Sequence, residues 1–147
     1  MRKLSPKKFF TKQEKERIVQ AVREAERRTS GEIRVYLERK GTKEDPLERA
    51  REIFEGLGMA RTKKRNGVLI YLSLADRRFA ILGDEGIHEK TGGGFWNDVA
   101  LTIKTFFGRG EFAEGLHAGI RQIGEKLALY FPREKRDTNE LPDEIQG

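Results

Sequence analysis

Carboxylates follow one of the predicted strands directly, in the segment ILGDEGIHEKTGGGFWND that spans residues 81–98. Asp84 and Glu85 stand together between two glycines, and Asp98 closes the segment. Carboxylate oxygens grouped on a loop are the donors that hard cations such as Ca²⁺ and Mg²⁺ bind. Asp-Glu-Gly after a strand is also ordinary turn chemistry, so these residues favour a cation site and a plain turn about equally.

The same segment holds one of the two histidines, His88, and the glycine run Thr91–Gly94. His88 lies between carboxylates and could ligate a metal, although a solvent-facing loop histidine fits at least as well. Glycines before a predicted helix suggest an anion-binding loop, but the Lys and Ser/Thr of a Walker loop and the spaced glycines of a dinucleotide loop are missing. We expect the glycines to form a flexible approach to the next helix.

Nucleophilic catalysis has little support in the sequence. The chain has no cysteine, which excludes disulfides, thiolate metal ligands and cysteine nucleophiles. Its serines are few, and neither histidine lies in a recognisable nucleophile motif. The sequence therefore offers no convincing catalytic constellation, and no catalytic residue is assigned.

Apolar spacing predicts the elements that would position these residues. Helical spacing predicts four helices, at residues 12–29, 46–57, 95–106 and 112–130. Alternating or continuous apolar runs predict three strands, at residues 32–40, 67–74 and 78–82. The helix between the first two strands predicts a right-handed parallel crossover, and the short Asp76-Arg77 gap predicts an antiparallel return. The predicted fold class is α/β: a three-layer α/β/α sandwich with a small mixed β-sheet of three to four strands and about four flanking helices.

This topology brings several acids to one end of the sheet. Glu32 opens the first strand, and Asp84 and Glu85 follow the third, so an antiparallel return places all three at the same edge. Asp98 reaches that edge if the segment 83–94 folds back. We therefore expect an acidic sheet end that binds a divalent cation.

Asp76 lies at the opposite end, near the carboxyl ends of the two parallel strands. Open α/β sheets usually bind ligands at such ends, so Asp76 is a second candidate cation ligand. A hairpin corner in which Asp76 caps backbone amides is the favoured interpretation.

Length and charge predict one domain and restrict its partners. At 147 residues the chain fits a single domain over residues 1–131, followed by a polar tail over residues 132–147. The net charge is +6, with the basic excess in residues 1–65. A basic surface attracts nucleic acid or anionic lipid, but no nucleic-acid-reader motif accompanies it. We therefore expect solvated helix faces and disfavour nucleic acid as a partner.

No segment approaches the roughly 18 apolar residues of a membrane span. The basic N-terminus lacks the apolar run of a signal peptide, so we expect no membrane span and a cytoplasmic location. The tail segment DTNELPDEIQG is a candidate docking element for a protein partner or for the basic helices of another copy.

Five short motifs, in this order, resemble the TPM domain family. They are TSGEI at Thr29–Ile33, NGVLI at Asn66–Ile70, Asp76-Arg77, GDEGI at Gly83–Ile87 and GEFAEGL at Gly110–Leu116. The similarity covers residues 10–131, and residues 131–145 are similar to a small, soluble, bacterial branch of the family.

The resemblance implies an α/β/α sandwich and divalent-cation binding, above all of calcium, in an acidic pocket. It also implies acid-phosphatase activity, as in some plant relatives, although the domain does not fix one cellular role. The leading hypothesis is therefore cation binding through Glu32, Asp84, Glu85 and Asp98, with Asp76 as a second location. The alternatives are a metal-dependent acid phosphatase acting on phosphomonoesters and a protein-interaction module that uses the acidic tail.

Overall fold

The computed structural model describes residues 2–41, 43–134 and 145. These residues form five helices and three strands. The helices are α1 (Lys12–Arg28), α2 (Pro46–Gly56), α3 (Glu85–Thr91), α4 (Asn97–Gly108) and α5 (Phe112–Tyr130), and the strands are β1 (Glu32–Glu38), β2 (Gly67–Ser73) and β3 (Arg78–Gly83). A short 3-10 turn at Met59–Arg61 lies between α2 and β2. The acidic tail proposed as a docking element falls almost entirely outside the described residues.

The three strands form one mixed sheet in the order β1-β2-β3. β1 runs parallel to β2, with Glu32 opposite Gly67 and Glu38 opposite Ser73. β3 returns antiparallel, with Val68 opposite Gly83. The crossover and the hairpin return are therefore confirmed.

Side chains alternate between two helical layers, as the pleat of a strand requires. Val68, Ile70 and Leu72 of β2 face the layer of α1, α4 and α5, and together they form the larger core cluster. Leu69 and Tyr71 face α2. Every residue of β2 is buried because helices cover both faces of the sheet, which confirms the predicted α/β/α sandwich.

The first helix begins where its sequence predicts. Thr11 and Glu14 form a capping box, in which the Glu14 N–H donates to the Thr11 hydroxyl at 3.1 Å and the Thr11 N–H donates to the Glu14 carboxylate at 2.9 Å.

The packing of α1 against α5 depends on a glycine. A Cβ at Gly124 would lie 2.6 Å from the Cβ of Ala25, so only glycine permits this approach of the two helices.

The structure contains one helix more than predicted. The segment after β3, expected to be a loop, forms α3, whose first N–H, at Glu85, donates to the Asp84 side chain at 2.8 Å. Its apolar anchor is the buried Ile87. A seven-residue helix with one buried side chain has no apolar period to detect. The glycines that follow do form a turn, with positive φ at Gly92 and Gly94.

Candidate functional site

The predicted acidic end of the sheet lies around Gly67, the first residue of β2. Glu32 lies opposite Gly67 on one side, and the Asp84 N–H donates to the Gly67 carbonyl at 2.9 Å on the other. Glu32 and Asp84 thus share one end of the sheet, separated by two strand spacings or about 10 Å. Glu32 is buried. Among the described residues, the acids at this end do not form a group of three that could hold a metal.

Asp84 and Glu85 both bind the guanidinium of Arg65. Arg65 Nε donates to Asp84 Oδ2 at 2.8 Å, Nη2 donates to Asp84 Oδ1 at 3.0 Å, and Nη1 donates to Glu85 Oε1 at 3.0 Å. The Asp84 side chain is only 5% exposed, whereas those of Arg65 and Glu85 are 39% and 62% exposed. We call these three residues the Arg65 clasp. It is anchored inside the protein at Asp84 and opens to solvent at Glu85.

Local backbone geometry explains why Arg65 reaches α3. Arg65 adopts a left-handed conformation, with φ of 51°, as the chain turns into β2. Its carbonyl accepts the Gly86 N–H at 2.9 Å. A Cβ at residue 86 would lie 2.2 Å from the Lys64 carbonyl oxygen and 2.5 Å from that of Arg65. Gly86 is therefore required for the turn before β2 to pack on the first turn of α3.

The electrostatics of the clasp centre on Arg65. The hydrogen bonds with Asp84 raise the pKa of Arg65, and the negative charges of Asp84, Glu85 and Glu89 add to this effect against the cost of desolvation. Three carboxylates thus act on one cationic side chain. Hydrogen bonds between a guanidinium and a carboxylate are charge-assisted and are stronger than hydrogen bonds between neutral groups.

The clasp provides the oxygen chemistry of a divalent-cation site, but Arg65 uses those oxygens. Both Asp84 oxygens accept from Arg65, and Oδ1 also accepts from the Glu85 N–H. In the described part of the chain, no group of three or more His, Cys, Asp or Glu side chains is placed to hold a metal. A metal could bind these oxygens only by displacing the Arg65 guanidinium.

Asp98 is engaged elsewhere. Its Oδ1 lies 3.1 Å from Lys126 Nζ on α5 and accepts the Val99 N–H at 3.0 Å. Desolvation acts to raise the pKa of Asp98, but the hydrogen bond and charge of Lys126 outweigh it and lower the pKa. Asp98 therefore joins α4 to α5, and the structure does not bring it to the clasp. His88 is exposed on α3.

Asp76 lies at the other end of the sheet, in the β2–β3 hairpin, and is exposed. The Asp76 side chain lies against Gly41, since a Cβ at residue 41 would be 3.1 Å from Asp76 Oδ2. The structure therefore brings Glu32, Asp84 and Glu85 to one end and leaves Asp76 and Asp98 apart. Cation ligation by any of them stays a prediction.

Arg65 is the residue that the sequence analysis missed. A signal for it was present, because the predicted antiparallel return places the residues before the second strand beside those after the third. In the structure Val68 pairs with Gly83. Continuing that register by three positions places Arg65 opposite Gly86, beside Asp84 and Glu85.

A second polar cluster lies on the α2 side of the sheet. Arg49 Nη2 lies 2.6 Å from Glu38 Oε2, and the Tyr71 hydroxyl donates to Glu38 Oε1 at 2.9 Å. The hydrogen bonds from Arg49 lower the pKa of Glu38, and burial together with the Glu38 contact raises that of Tyr71. The cluster joins β1, β2 and α2.

Comparison with known proteins identifies the family. The TPM domain matches residues 5–126. The chain is 45% identical to the BA42 protein from the psychrophilic bacterium Bizionia argentinensis, whose NMR structure superposes with a TM-score of 0.88 over 94% of each chain. No match was found among curated proteins. No helix in the described ranges has the length and apolar character needed to cross a membrane. The match covers most of the chain and agrees with the fold, so the chain belongs to the TPM domain family.

Proposed function

We propose that this TPM-domain protein binds a divalent cation, with Ca²⁺ as the first candidate, at the Arg65 clasp in exchange for the guanidinium. The observation that supports the proposal is the convergence of the Asp84 and Glu85 carboxylates on one positively charged group. Carboxylate oxygens are the ligands that Ca²⁺ prefers. The surface position of Arg65 makes the exchange physically accessible.

The exposure of the clasp supports exchange over permanent pairing. Arg65 and Glu85 are both open to solvent, and an ion pair between two exposed side chains contributes little net stability. The pair with buried Asp84 is the contact that a cation would have to replace. Asp84 is buried and keeps the Glu85 N–H as a donor, so one ligand stays oriented when Arg65 leaves. Glu89, one helical turn after Glu85, adds negative charge at the same place.

The exchange predicts weak binding in the wild type. A ligand whose site is open only part of the time has an apparent Kd equal to the intrinsic Kd divided by the open fraction. Removing the Arg65 charge should therefore tighten cation binding.

A calcium titration followed by amide NMR tests the proposal. In the wild type, the amides of Gly83, Asp84 and Glu85 should shift first as calcium rises to millimolar concentrations. In Arg65→Gln the same amides should shift at lower calcium. In Asp84→Asn they should not shift.

Arg77→Gln is the matched control, because Arg77 is the other left-handed arginine and lies at the opposite end of the sheet. It changes the net charge equally and should keep the wild-type titration. Absence of shifts in both the wild type and Arg65→Gln would sink the proposal. Equal tightening in the two arginine variants would mean that net charge, and not exchange at the clasp, controls binding.

A further inference from the structure

The residues before α1, together with its first turn, form a basic surface remote in sequence from the clasp. Residues 2–15 line a cavity of about 560 Å³ whose described lining contains six basic side chains and no carboxylate. Arg2 is one of the six, and the other five are lysines. We call these lysines the N-terminal basic face: Lys3, Lys7, Lys8, Lys12 and Lys15.

The segment that carries these lysines is fixed to the domain. Phe9 and Phe10 are buried in the larger core cluster, and the Phe9 ring packs edge-on against Phe112 of α5 at 5.4 Å. The Lys8 and Phe9 N–H groups both donate to the Ser5 carbonyl, which closes a turn. The lysines therefore share one face of a folded segment.

Arg2 and Glu14 complete this arrangement. Arg2 donates to both Glu14 oxygens, at 2.5 and 2.6 Å, and to the Phe9 carbonyl at 3.0 Å. The Glu14 carboxylate thus neutralises Arg2 and leaves the five lysine charges uncompensated. Lys3, Lys7, Lys8 and Lys12 are exposed, and Lys15 is half-buried and donates to the Lys7 carbonyl.

We propose that the N-terminal basic face docks on the surface of an anionic phospholipid bilayer. Clusters of four to eight Lys and Arg bind anionic lipid surfaces through their summed charge. Leu4 follows Lys3 in the sequence and has 38% of its surface exposed, one of four exposed large hydrophobic residues in the described chain. A basic cluster with an apolar side chain at its surface matches the headgroup and acyl boundary of a membrane.

Nucleic acid fits the face less well. Proteins that bind single strands combine a basic groove with exposed aromatic rings on which bases stack. Phe9 and Phe10 are the aromatic residues of this cavity, and each is only 2% exposed, so neither ring is available. The exposed apolar residue next to Lys3 in the sequence is the aliphatic Leu4, which suits lipid and offers no ring on which a base could stack.

Co-sedimentation with vesicles tests the proposal with the full chain. Vesicles that mix phosphatidylglycerol with phosphatidylcholine should bind the wild type at low salt and release it at high salt, and pure phosphatidylcholine vesicles should not bind it. The combined variant Lys3→Glu, Lys7→Glu, Lys8→Glu should lower the partition coefficient by at least about tenfold, since each basic residue contributes separately. The milder variant with glutamine at the same three positions guards against misfolding and should weaken binding in the same direction.

A matched triple variant separates this face from net charge. Lys43→Glu, Arg51→Glu and Lys63→Glu reverse three exposed cations on the α2 side of the sheet and should bind nearly as the wild type does. Equal loss in the two triple variants would overturn the proposal, as would failure of the wild type to bind anionic vesicles at low salt. Leu4→Gln should weaken the binding that survives intermediate salt.

Competition distinguishes lipid from other anions. A short DNA duplex, a single strand and inorganic phosphate are added separately to vesicle-bound protein. Continued vesicle binding supports the proposal. Displacement by nucleic acid at phosphate concentrations below that of the lipid headgroups would assign the face to nucleic acid instead.

Discussion

Arg65 and Arg77 are the two residues other than glycine with a left-handed backbone in the described chain, with φ of 51° and 55°. They lie at opposite ends of the sheet, Arg65 before β2 and Arg77 in the β2–β3 hairpin. Arg65 binds two carboxylates, whereas the Arg77 guanidinium lies 4.9 Å from the centre of the Phe112 ring. A left-handed backbone is costly for any residue with a Cβ, so the contacts of each side chain must offset that cost.

Substitution by glycine should change the free energy of unfolding differently at the two positions. Arg77→Gly relieves backbone strain and loses one exposed cation–π contact, so the free energy of unfolding should change by less than about 1 kcal/mol. Arg65→Gly relieves the same strain but leaves the buried Asp84 carboxylate without its cation, so it should destabilise the fold. Urea unfolding of both variants measures the difference. Equal effects would show that Arg65 contributes little beyond its backbone.

Gly86→Ala should be among the most disruptive small substitutions. Its Cβ would meet the Lys64 and Arg65 carbonyl oxygens, and relief of such a clash by backbone movement costs about 1–3 kcal/mol or more. Gly93→Ala is the control, because a Cβ there meets nothing within 4 Å. Thermal unfolding should show a lower midpoint for the first variant and little change for the second. A tolerated Gly86→Ala would contradict the close packing of α3 on the turn before β2.

Stability should fall in acid through Glu14. The hydrogen bonds from Arg2 are the largest cause that holds the pKa of Glu14 at about 2, against an ordinary value of 4.5. A carboxyl with a lowered pKa in the folded state contributes its stability above pH 4.5 and loses it as the pH falls towards about 2. Glu14→Gln should reduce stability at neutral pH and flatten the pH dependence in this window.

Thermal midpoints measured from neutral pH down to about pH 2 would check this expectation. Glu16→Gln is a suitable control, since Glu16 is exposed on the same helix. If Glu14→Gln kept the full acid dependence of the wild type, other carboxyls would be responsible for it.

Asp98 should be separable from cation binding at the clasp. Because Asp98 pairs with Lys126 of α5, Asp98→Asn should leave the calcium-dependent shifts of Gly83 to Glu85 unchanged. The exposed pair should contribute no more than about 1 kcal/mol to the free energy of unfolding. An NMR titration and urea unfolding of the one variant measure both quantities. Loss of the calcium response would restore Asp98 as a ligand.

The sheet could be predicted from the sequence because the apolar residues of its strands follow regular patterns. β2 is apolar at most positions and β1 alternates, so both strands could be predicted. The alternation of β1 indicated one buried face, but Glu32 and Arg34 on its other face are buried as well. The short gap at Asp76 and Arg77 left only a hairpin between β2 and β3. These local patterns agree with the tertiary structure, which is why the α/β/α architecture and the family were both predictable.

The candidate site depended on pairwise contacts, which periodicity does not encode. Asp84 and Glu85 were identified as acids, but their partner Arg65 comes from a segment about twenty positions earlier. Helix α3 escaped prediction because only Ile87 anchors it in the core. The cytoplasmic location, the phosphatase alternative and the docking role of the acidic tail remain predictions.

The Arg65 clasp also bears on the register between β2 and β3, whether or not an ion binds. β3 is an edge strand whose pairing with β2 could slip by one residue, and such a slip turns every side chain to the opposite face of the sheet. Phe79 and Ile81, which pack on the larger core, would then point towards α2. A slipped register would also carry Asp84 out of reach of Arg65. The clasp is therefore one contact, beside the apolar pattern of β3, that favours the observed register of the hairpin. An exchange of Arg65 for another cation would have to preserve the same alignment of strands.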